Sequence, residues 1–355
     1  MPKPTKDLII SYQMKEPANT PAEETHETFK YPGGELQVRL SQDNLNYLKS
    51  KENDDFSLVI DTRIKNSDDI MELLLFRDAL SEKIDEDIFE RASIFLAYLP
   101  YARADRRFVE GDCHGKNTFL RMIARQFPFQ TIYTLDIHSL TNLEDEWFTQ
   151  DLDIRNVSAA PILEDVLETT RYIYRDVGLI NILFPDEGAA TRYTSDDYEF
   201  LNDKTKYVIS YCTKDRDQVT GKLNGFNVPE IDKSLPTLVV DDLCDGGGTF
   251  LGIASKLQMD RNLLSLYVTH GLFSKGLGQL GEAFSKIYTT NSFFNIEDRM
   301  NFVSEDCKLI GNSYMYGEPT DLEFRLKNDV VLNLIVFDAH KIMYNALEKD
   351  LDDCY

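Results

Sequence analysis

The segment Leu238-Val-Val-Asp-Asp-Leu-Cys-Asp-Gly-Gly-Gly-Thr249 carries the most specific chemistry in the chain. Its apolar start reads as a strand, and the residues after Thr249 read as a helix. Three consecutive glycines let the backbone bend tightly and present its N–H groups without Cβ obstruction. At a helix start, those donors and the helix dipole favour a phosphate. Thr249 adds a hydroxyl donor. Asp241 and Asp242 are wrong for an anion but suited to accept hydrogen bonds from neighbouring sugar hydroxyls. A loop of Asp245, Gly246, Gly247, Gly248 and Thr249 beside that acidic pair therefore fits a ribose phosphate better than bare phosphate. The plainer alternative is a glycine turn with capping acids. It is not a Walker loop, because no Gly-Lys-Ser/Thr follows.

Such a loop needs a strand before it, and the chain supplies several. The strand-like runs are Phe56–Ile60, Ser93–Tyr98, Thr131–Leu135, Leu179–Phe184, Tyr207–Tyr211, Thr237–Val240 and Leu263–Val268. Between them, Asp68–Lys83, Asn117–Gln126, Pro161–Tyr174 and Thr249–Gln258 read as helices. This alternation predicts an α/β fold with parallel sheets flanked by helices, in two rounds. The 355 residues suit about two domains. The expected division is 1–158 for a first α/β domain, 159–328 for a second carrying the glycine loop, and 329–355 for a C-terminal helix and acidic tail. Residues Glu348–Asp353 are expected to fray.

The chain has 38 Lys and Arg against 61 Asp and Glu, a net charge of −23. That field repels polyanions and argues against nucleic acid and anionic membranes as partners. No run approaches the ~18 apolar residues of a membrane span. The N-terminus lacks a signal-type apolar stretch. Five dispersed cysteines without a CxxC pair argue against a disulfide framework or zinc site. A cytoplasmic setting is expected.

Beyond the glycine loop, further motifs run in order along the chain. They are Tyr31-Pro-Gly-Gly-Glu-Leu36, the helix Asp68–Leu80, Pro100-Tyr-Ala-Arg-Ala-Asp-Arg106 and Leu135-Asp-Ile-His-Ser139. Phe184-Pro-Asp-Glu-Gly188 with Arg192, Lys214-Asp-Arg216 and Val268-Thr-His-Gly-Leu-Phe-Ser274 follow. Together these resemble the ribose-phosphate diphosphokinases, which share the loop with type I phosphoribosyltransferases. The resemblance covers nearly the whole chain. It implies two Rossmann-like domains of the type I phosphoribosyltransferase kind, each a mainly parallel sheet flanked by helices. It also implies transfer of a diphosphoryl group from ATP to ribose 5-phosphate, with Mg²⁺.

By the same resemblance, Lys214 and Arg216 serve the transferring group, although alone they read as a solvated turn. His138 and Asp186 are the implied Mg²⁺ ligands, with Asp136 orienting the imidazole; alone, His138 reads as structural. Tyr31, Glu35, Arg103, Asp105 and Arg106 are implied on the ATP side. Asp241, Asp242 and residues 245–249 hold the sugar phosphate. Because Tyr31 and Glu35 come from a neighbouring subunit in the family, a homo-oligomer, dimer or hexamer, with shared ATP sites is implied. His270 and Ser274 shape the sugar pocket. Cys113, His114, His26 and His340 read as structural or surface residues.

The chain departs from the family in the segment Arg107–Lys116, in its extra N-terminal ~25 residues and strongly acidic surface, and at three single positions. Gly33 replaces an Asp and Ala104 a Gln, which removes polar partners for the base. Gly246 replaces a Thr within the loop and leaves room beside the phosphate. That room raises a larger acceptor, such as ADP-ribose in NAD salvage, as an alternative to ribose 5-phosphate. A phosphoribosyltransferase leaves His138 unexplained, and a non-catalytic regulatory homologue leaves the retained cations and acids unexplained.

Overall fold

The computed structural model describes residues 8–14, 25–50, 56–85, 92–107, 109–127, 131–138, 153–216, 223–294, 302–303, 307–313 and 319–352. The chain divides into two compact units, residues 1–157 with 339–355, and residues 158–338.

In the first unit, β1 (Leu8–Met14) is followed by the hairpin β2 (His26–Lys30) and β3 (Leu36–Leu40), then β4 (Phe56–Thr62), β5 (Ser93–Phe95), β6 (Thr131–Leu135) and β7 (Asp153–Val157). The sheet order is β1-β4-β5-β6-β7, with β4 to β7 parallel and β1 antiparallel to β4. Leu58, Val59 and Ile60 are fully buried, as expected for a strand covered on both faces. The helix Ser67–Ser81 begins where Asn66 accepts from the Asp68 and Asp69 N–H groups (2.8 and 3.3 Å). Asp69 accepts in return from the Asn66 N–H at 2.9 Å, which completes a capping box. Leu73, Phe76 and Leu80, three and four residues apart, form its buried face.

The expected separate tail from 329 is divided. Val331–Phe337 is a strand of the second unit, whereas Ala339–Asp352 is a helix grouped with the first unit. Residues 348–352, expected to fray, lie within that helix; 353–355 fall outside the described residues. Ala339, Met343 and Leu347 recur every four residues and are buried, which anchors the helix. Tyr344 meets Phe95 edge-on, with ring centroids 4.8 Å apart. His340 Nδ1 lies 2.6 Å from Asp61 Oδ2, and Arg63 faces its Nε2.

The second unit contains β8 (Ile180–Phe184), β9 (Tyr207–Tyr211), the hairpin β10 (Thr213–Arg216) and β11 (Leu223–Asn227), β12 (Thr237–Cys244), β13 (Leu264–Gly271), β14 (Lys286–Thr290), β15 (Cys307–Ser313), β16 (Thr320–Leu326) and β17 (Val331–Phe337). Eight of these form one sheet in the order β15-β16-β17-β14-β13-β12-β8-β9. From β17 to β9 all neighbours are parallel; β16 and β15 extend it antiparallel. Every residue of β8 and β13 is buried, whereas β16 alternates. That is the contrast between central parallel strands and a half-solvated antiparallel margin. The helix Ala160–Ile173 starts with Pro161 in its first turn and buries Ile162, Leu163, Val166, Leu167 and Thr170. Among the described residues no helix is long and apolar enough to cross a membrane.

Met343→Ala is expected to cost about 2–5 kcal/mol, the usual range for truncating a fully buried side chain. Urea unfolding measures it; an unchanged midpoint would show that the C-terminal helix adds nothing to the first unit.

Candidate active site

In the second sheet, the chain leaves β8 toward β9 on one side, while β12 leads to β13 on the other. Connections that part in this way open a crevice beyond the carboxyl ends of the strands, where α/β sheets bind ligands. The residues at those ends are Asp186 after β8 and Asp241 to Thr249 at and after β12. Asp186 caps the short helix Glu187–Arg192, its Oδ1 accepting from the Ala189 N–H at 2.9 Å. Arg192, at the end of that helix, reaches back so that Nη1 is 3.6 Å from Asp242 Oδ2.

Asp241 accepts the Asp242 N–H at 2.9 Å. Burial, then the charge of Asp242, then a side-chain hydrogen bond with Asp242 hold the Asp241 carboxyl well above the usual carboxylate range, and Asp186 adds to this. The structure thus gathers Asp186, Asp241, Asp242 and Arg192 at one sheet end. Such a group can accept hydrogen bonds from a polyhydroxyl ligand and share a proton among its carboxyls. The nearby thiols of Cys212 and Cys244 are pushed up to about 11 and about 12 by burial, so neither is a thiolate nucleophile at neutral pH.

Gly247 takes a left-handed conformation (φ +74°) as the N-cap of the helix Gly248–Leu257, and no side chain caps that end. Its first-turn N–H groups therefore lack partners within the helix. The exposed positions there are Gly248 and Thr249. The loop is tied from below by the segment after β13. The Leu272 and Phe273 N–H groups donate to the Cys244 carbonyl (2.8 and 3.1 Å), and the Ser274 N–H donates to the Asp245 carbonyl at 3.1 Å. Gly271 allows this turn, since a Cβ there would lie 2.2 Å from the Phe273 ring. His270 is buried, its Nδ1 2.8 Å from Ser292 Oγ, and Ser274 is exposed.

The room expected at the three glycines is smaller than the sequence suggests. A Cβ at Gly246 would be 3.3 Å from Lys275 Cε, and one at Gly247 would be 3.0 Å from Leu280. Open space adjoins Gly248 alone of the three. The side-chain volume missing from Gly246 is taken by a lysine stem, which the glycine run did not reveal.

Lys214 and Arg216 lie on β10, paired antiparallel with β11 (Lys214 opposite Phe226, Arg216 opposite Leu223), with an irregularity between Asp215 and Arg216. A polar stretch readable as a solvated turn is therefore a strand at this point. Residues 217–222 fall outside the described residues.

In the first unit, Tyr31 and Glu35 are exposed at the tip of the β2–β3 hairpin, closed by Tyr31 N–H to Glu35 carbonyl (2.8 Å) and Gly34 N–H to Tyr31 carbonyl (2.8 Å). Phe29 meets Tyr31 edge-on at 5.6 Å. Arg103 and Arg106 are exposed and Asp105 is buried, with Arg106 Nε 3.3 Å from Asp105 Oδ1. Sequence reading missed Lys116, fully buried at the start of the helix Gly115–Gln126. Burial pushes its ammonium down, while Asp105 pulls it up. Its signal was present: Lys116 lies three, four and seven residues before the buried Phe119, Leu120 and Ile123. His138 is exposed just after β6, following buried Asp136 (φ +48°), whose N–H donates to the Val157 carbonyl at 2.9 Å. His114 caps its helix through Nδ1, and buried His26 meets Glu72 at 2.8 Å.

A carboxyl raised in the folded state holds its proton more firmly there than in the unfolded chain, so stability falls as pH climbs from the ordinary carboxylate range through the raised value. Asp241→Asn is therefore expected to flatten that fall and raise the Tm of the ligand-free protein at neutral pH. Thermal unfolding against pH measures it, and an unaltered profile would refute the assignment.

No family model matches the chain. The ribose-phosphate pyrophosphokinase of Sulfurisphaera tokodaii is 27% identical over 268 residues, which cover 74% of this chain and 82% of that protein. The enzyme of the same name from Thermococcus kodakarensis is 25% identical over 279 residues, 78% and 91% of the two chains. That of Pyrococcus furiosus is 25% identical over 285 residues, 79% and 94%. The crystal structure of phosphoribosylpyrophosphate synthetase from Mycobacterium smegmatis superposes with a TM-score of 0.57, covering 93% of this chain and 91% of that one. At 15% identity it shows the fold, two α/β domains of the phosphoribosyltransferase type. Relatives of one name, 25–27% identical, match it over roughly three-quarters of its length, which supports reading the chain as a divergent relative of the ribose-phosphate pyrophosphokinases.

Proposed function

We propose that the protein transfers the β,γ-diphosphoryl group of ATP to the anomeric hydroxyl of ribose 5-phosphate, giving phosphoribosyl diphosphate and AMP. The observation that carries this reading is the acidic pair at the end of β12 running directly into an uncapped helix start. One ligand that needs both is a sugar bearing hydroxyls and a phosphate at opposite ends. Asp241 and Asp242 accept from the ring hydroxyls, while the N–H groups of residues 246–249 and the Thr249 hydroxyl hold the 5-phosphate. Asp245 leads the chain into that loop.

In the reaction, the anomeric oxygen bonds to the β-phosphorus and loses its proton. The bond from that phosphorus to the oxygen bridging to the α-phosphate breaks, and AMP departs with the oxygen. Charge builds on the leaving and bridging oxygens, so rate comes from alignment and from cations held near them. Lys214 and Arg216 are the proposed cations. Tyr31, Glu35, Arg103, Asp105 and Arg106 are proposed on the nucleotide side. The exposed hairpin tip bearing Tyr31 and Glu35 suits a contribution to a neighbouring copy, and a homo-oligomer is part of this reading.

The family implies Mg²⁺, and the residues present fit it. Asp186 offers an oxygen ligand at a strand end, oriented by the Ala189 N–H. His138 is exposed. Among the described residues no group of three or more ligating side chains occurs. That suits an ion that keeps its waters and arrives with nucleotide phosphates. When bound, Mg²⁺ supplies charge neutralisation to the ATP phosphates. The larger-acceptor alternative rested on room at residues 246–248; Lys275 and Leu280 crowd Gly246 and Gly247, and open space adjoins Gly248 alone, so ribose 5-phosphate is the favoured acceptor.

AMP formation from Mg-ATP should depend on ribose 5-phosphate, and the absence of that dependence would refute the reading. Lys214→Ala should lower kcat by about 10²-fold or more while nucleotide binding, followed by calorimetry, persists. Unchanged turnover would remove Lys214 from the mechanism.

A further inference from the structure

The loop assigned to the 5-phosphate has a charge problem. Asp241, Asp242 and Asp245 precede it within nine residues of Thr249, in a chain of net charge −23. A phosphate monoester carries nearly two negative charges, and backbone N–H groups alone must then hold it against three nearby carboxyls. Arg192 is already within ion-pair distance of Asp242. A further cation would resolve this, and the structure puts one over the loop.

Lys275 is exposed, and among the described residues no carboxylate pairs with it. Its methylene stem lies against Gly246: from the position a Cβ would take there, Cε is 3.3 Å, Cδ 3.4 Å and Cγ 3.7 Å. The backbone that delivers the stem is fixed on both sides. The Ser274 N–H donates to the Asp245 carbonyl at 3.1 Å, and the Gly276 N–H, at φ +72°, donates to the Phe273 carbonyl at 2.7 Å. A threonine at 246 would press on the stem at distances tighter than ordinary contact. Gly246 and Lys275 are therefore matched: the small residue provides the channel along which the lysine crosses the loop.

We infer that Lys275 is a specificity-determining residue of the phosphate loop, its ammonium binding the terminal 5-phosphate of the sugar acceptor across the gap left by Gly246. The inference rests on the proposed function for the identity of the acceptor. An ammonium on a flexible stem is a strong, mobile point charge for a phosphate, and it favours a terminal monoester over a diester of lower charge. A hydroxyl donor at position 246, absent here, is replaced by a full charge.

The test is steady-state kinetics with Mg-ATP and ribose 5-phosphate on the full chain, for wild type, Lys275→Ala, Lys275→Arg, Gly246→Thr and the double variant Gly246→Thr/Lys275→Ala. Lys275→Ala should raise KM for ribose 5-phosphate about tenfold and leave KM for ATP within about twofold. Lys275→Arg should retain most of the affinity. Gly246→Thr should raise the same KM when Lys275 is present and add little once it is alanine, the non-additivity expected of residues in contact. An unchanged KM for ribose 5-phosphate in Lys275→Ala, or fully additive effects in the double variant, would overturn the inference and leave the proposed function standing. If wild type forms no AMP in response to ribose 5-phosphate, the proposed function fails instead. The lysine is then judged by calorimetric titration with inorganic phosphate: weaker binding by Lys275→Ala supports it, and equal binding overturns it.

Discussion

Under the proposed function, two opposite electrostatic demands meet at the carboxyl end of β12. Sugar hydroxyls call for carboxylates that accept hydrogen bonds, and a phosphate calls for donors and positive charge, with only a short loop between them. The glycine-started helix meets the second demand with backbone dipoles, which add no net charge and need no side-chain space. The acidic side is eased because burial and the facing Asp242 favour a protonated Asp241, and because Arg192 lies against Asp242. The all-buried strands β8 and β13 flanking β12 are what keep these groups in place. Rigid, close-packed neighbours prevent like charges from relaxing apart.

Much of this was legible in the residue order. Apolar runs bounded by helical periodicity located β6 and β9 to the residue, and β8, β12 and β13 to within a few positions. The glycine loop was readable because φ above zero and bare backbone donors restrict the residue types that can serve. What escaped had a different origin. Strands β16 and β17 alternate as half-solvated margins, and β15 contains Gly311 and Asn312 where apolar residues would be diagnostic. β10 contains Lys-Asp-Arg and is a strand through backbone pairing with β11 rather than through an apolar face. The relation between Gly246 and Lys275 spans a folded turn, and nothing in a run of glycines announces which distant side chain will fill the space. The grouping of Ala339–Asp352 with the first unit is likewise a matter of where apolar faces find partners, not of local propensity.

That last grouping bears on how the polypeptide is made. The hydrophobic stripe that completes the first unit is synthesised only after all of residues 158–338. Domains generally fold as units during synthesis. Here the second unit is uninterrupted in sequence, whereas Phe95 in the first sheet lacks its Tyr344 neighbour until residues 339–352 have been made. A ribosome stalled before codon 339 would leave a contiguous second unit attached to a first unit without its closing helix.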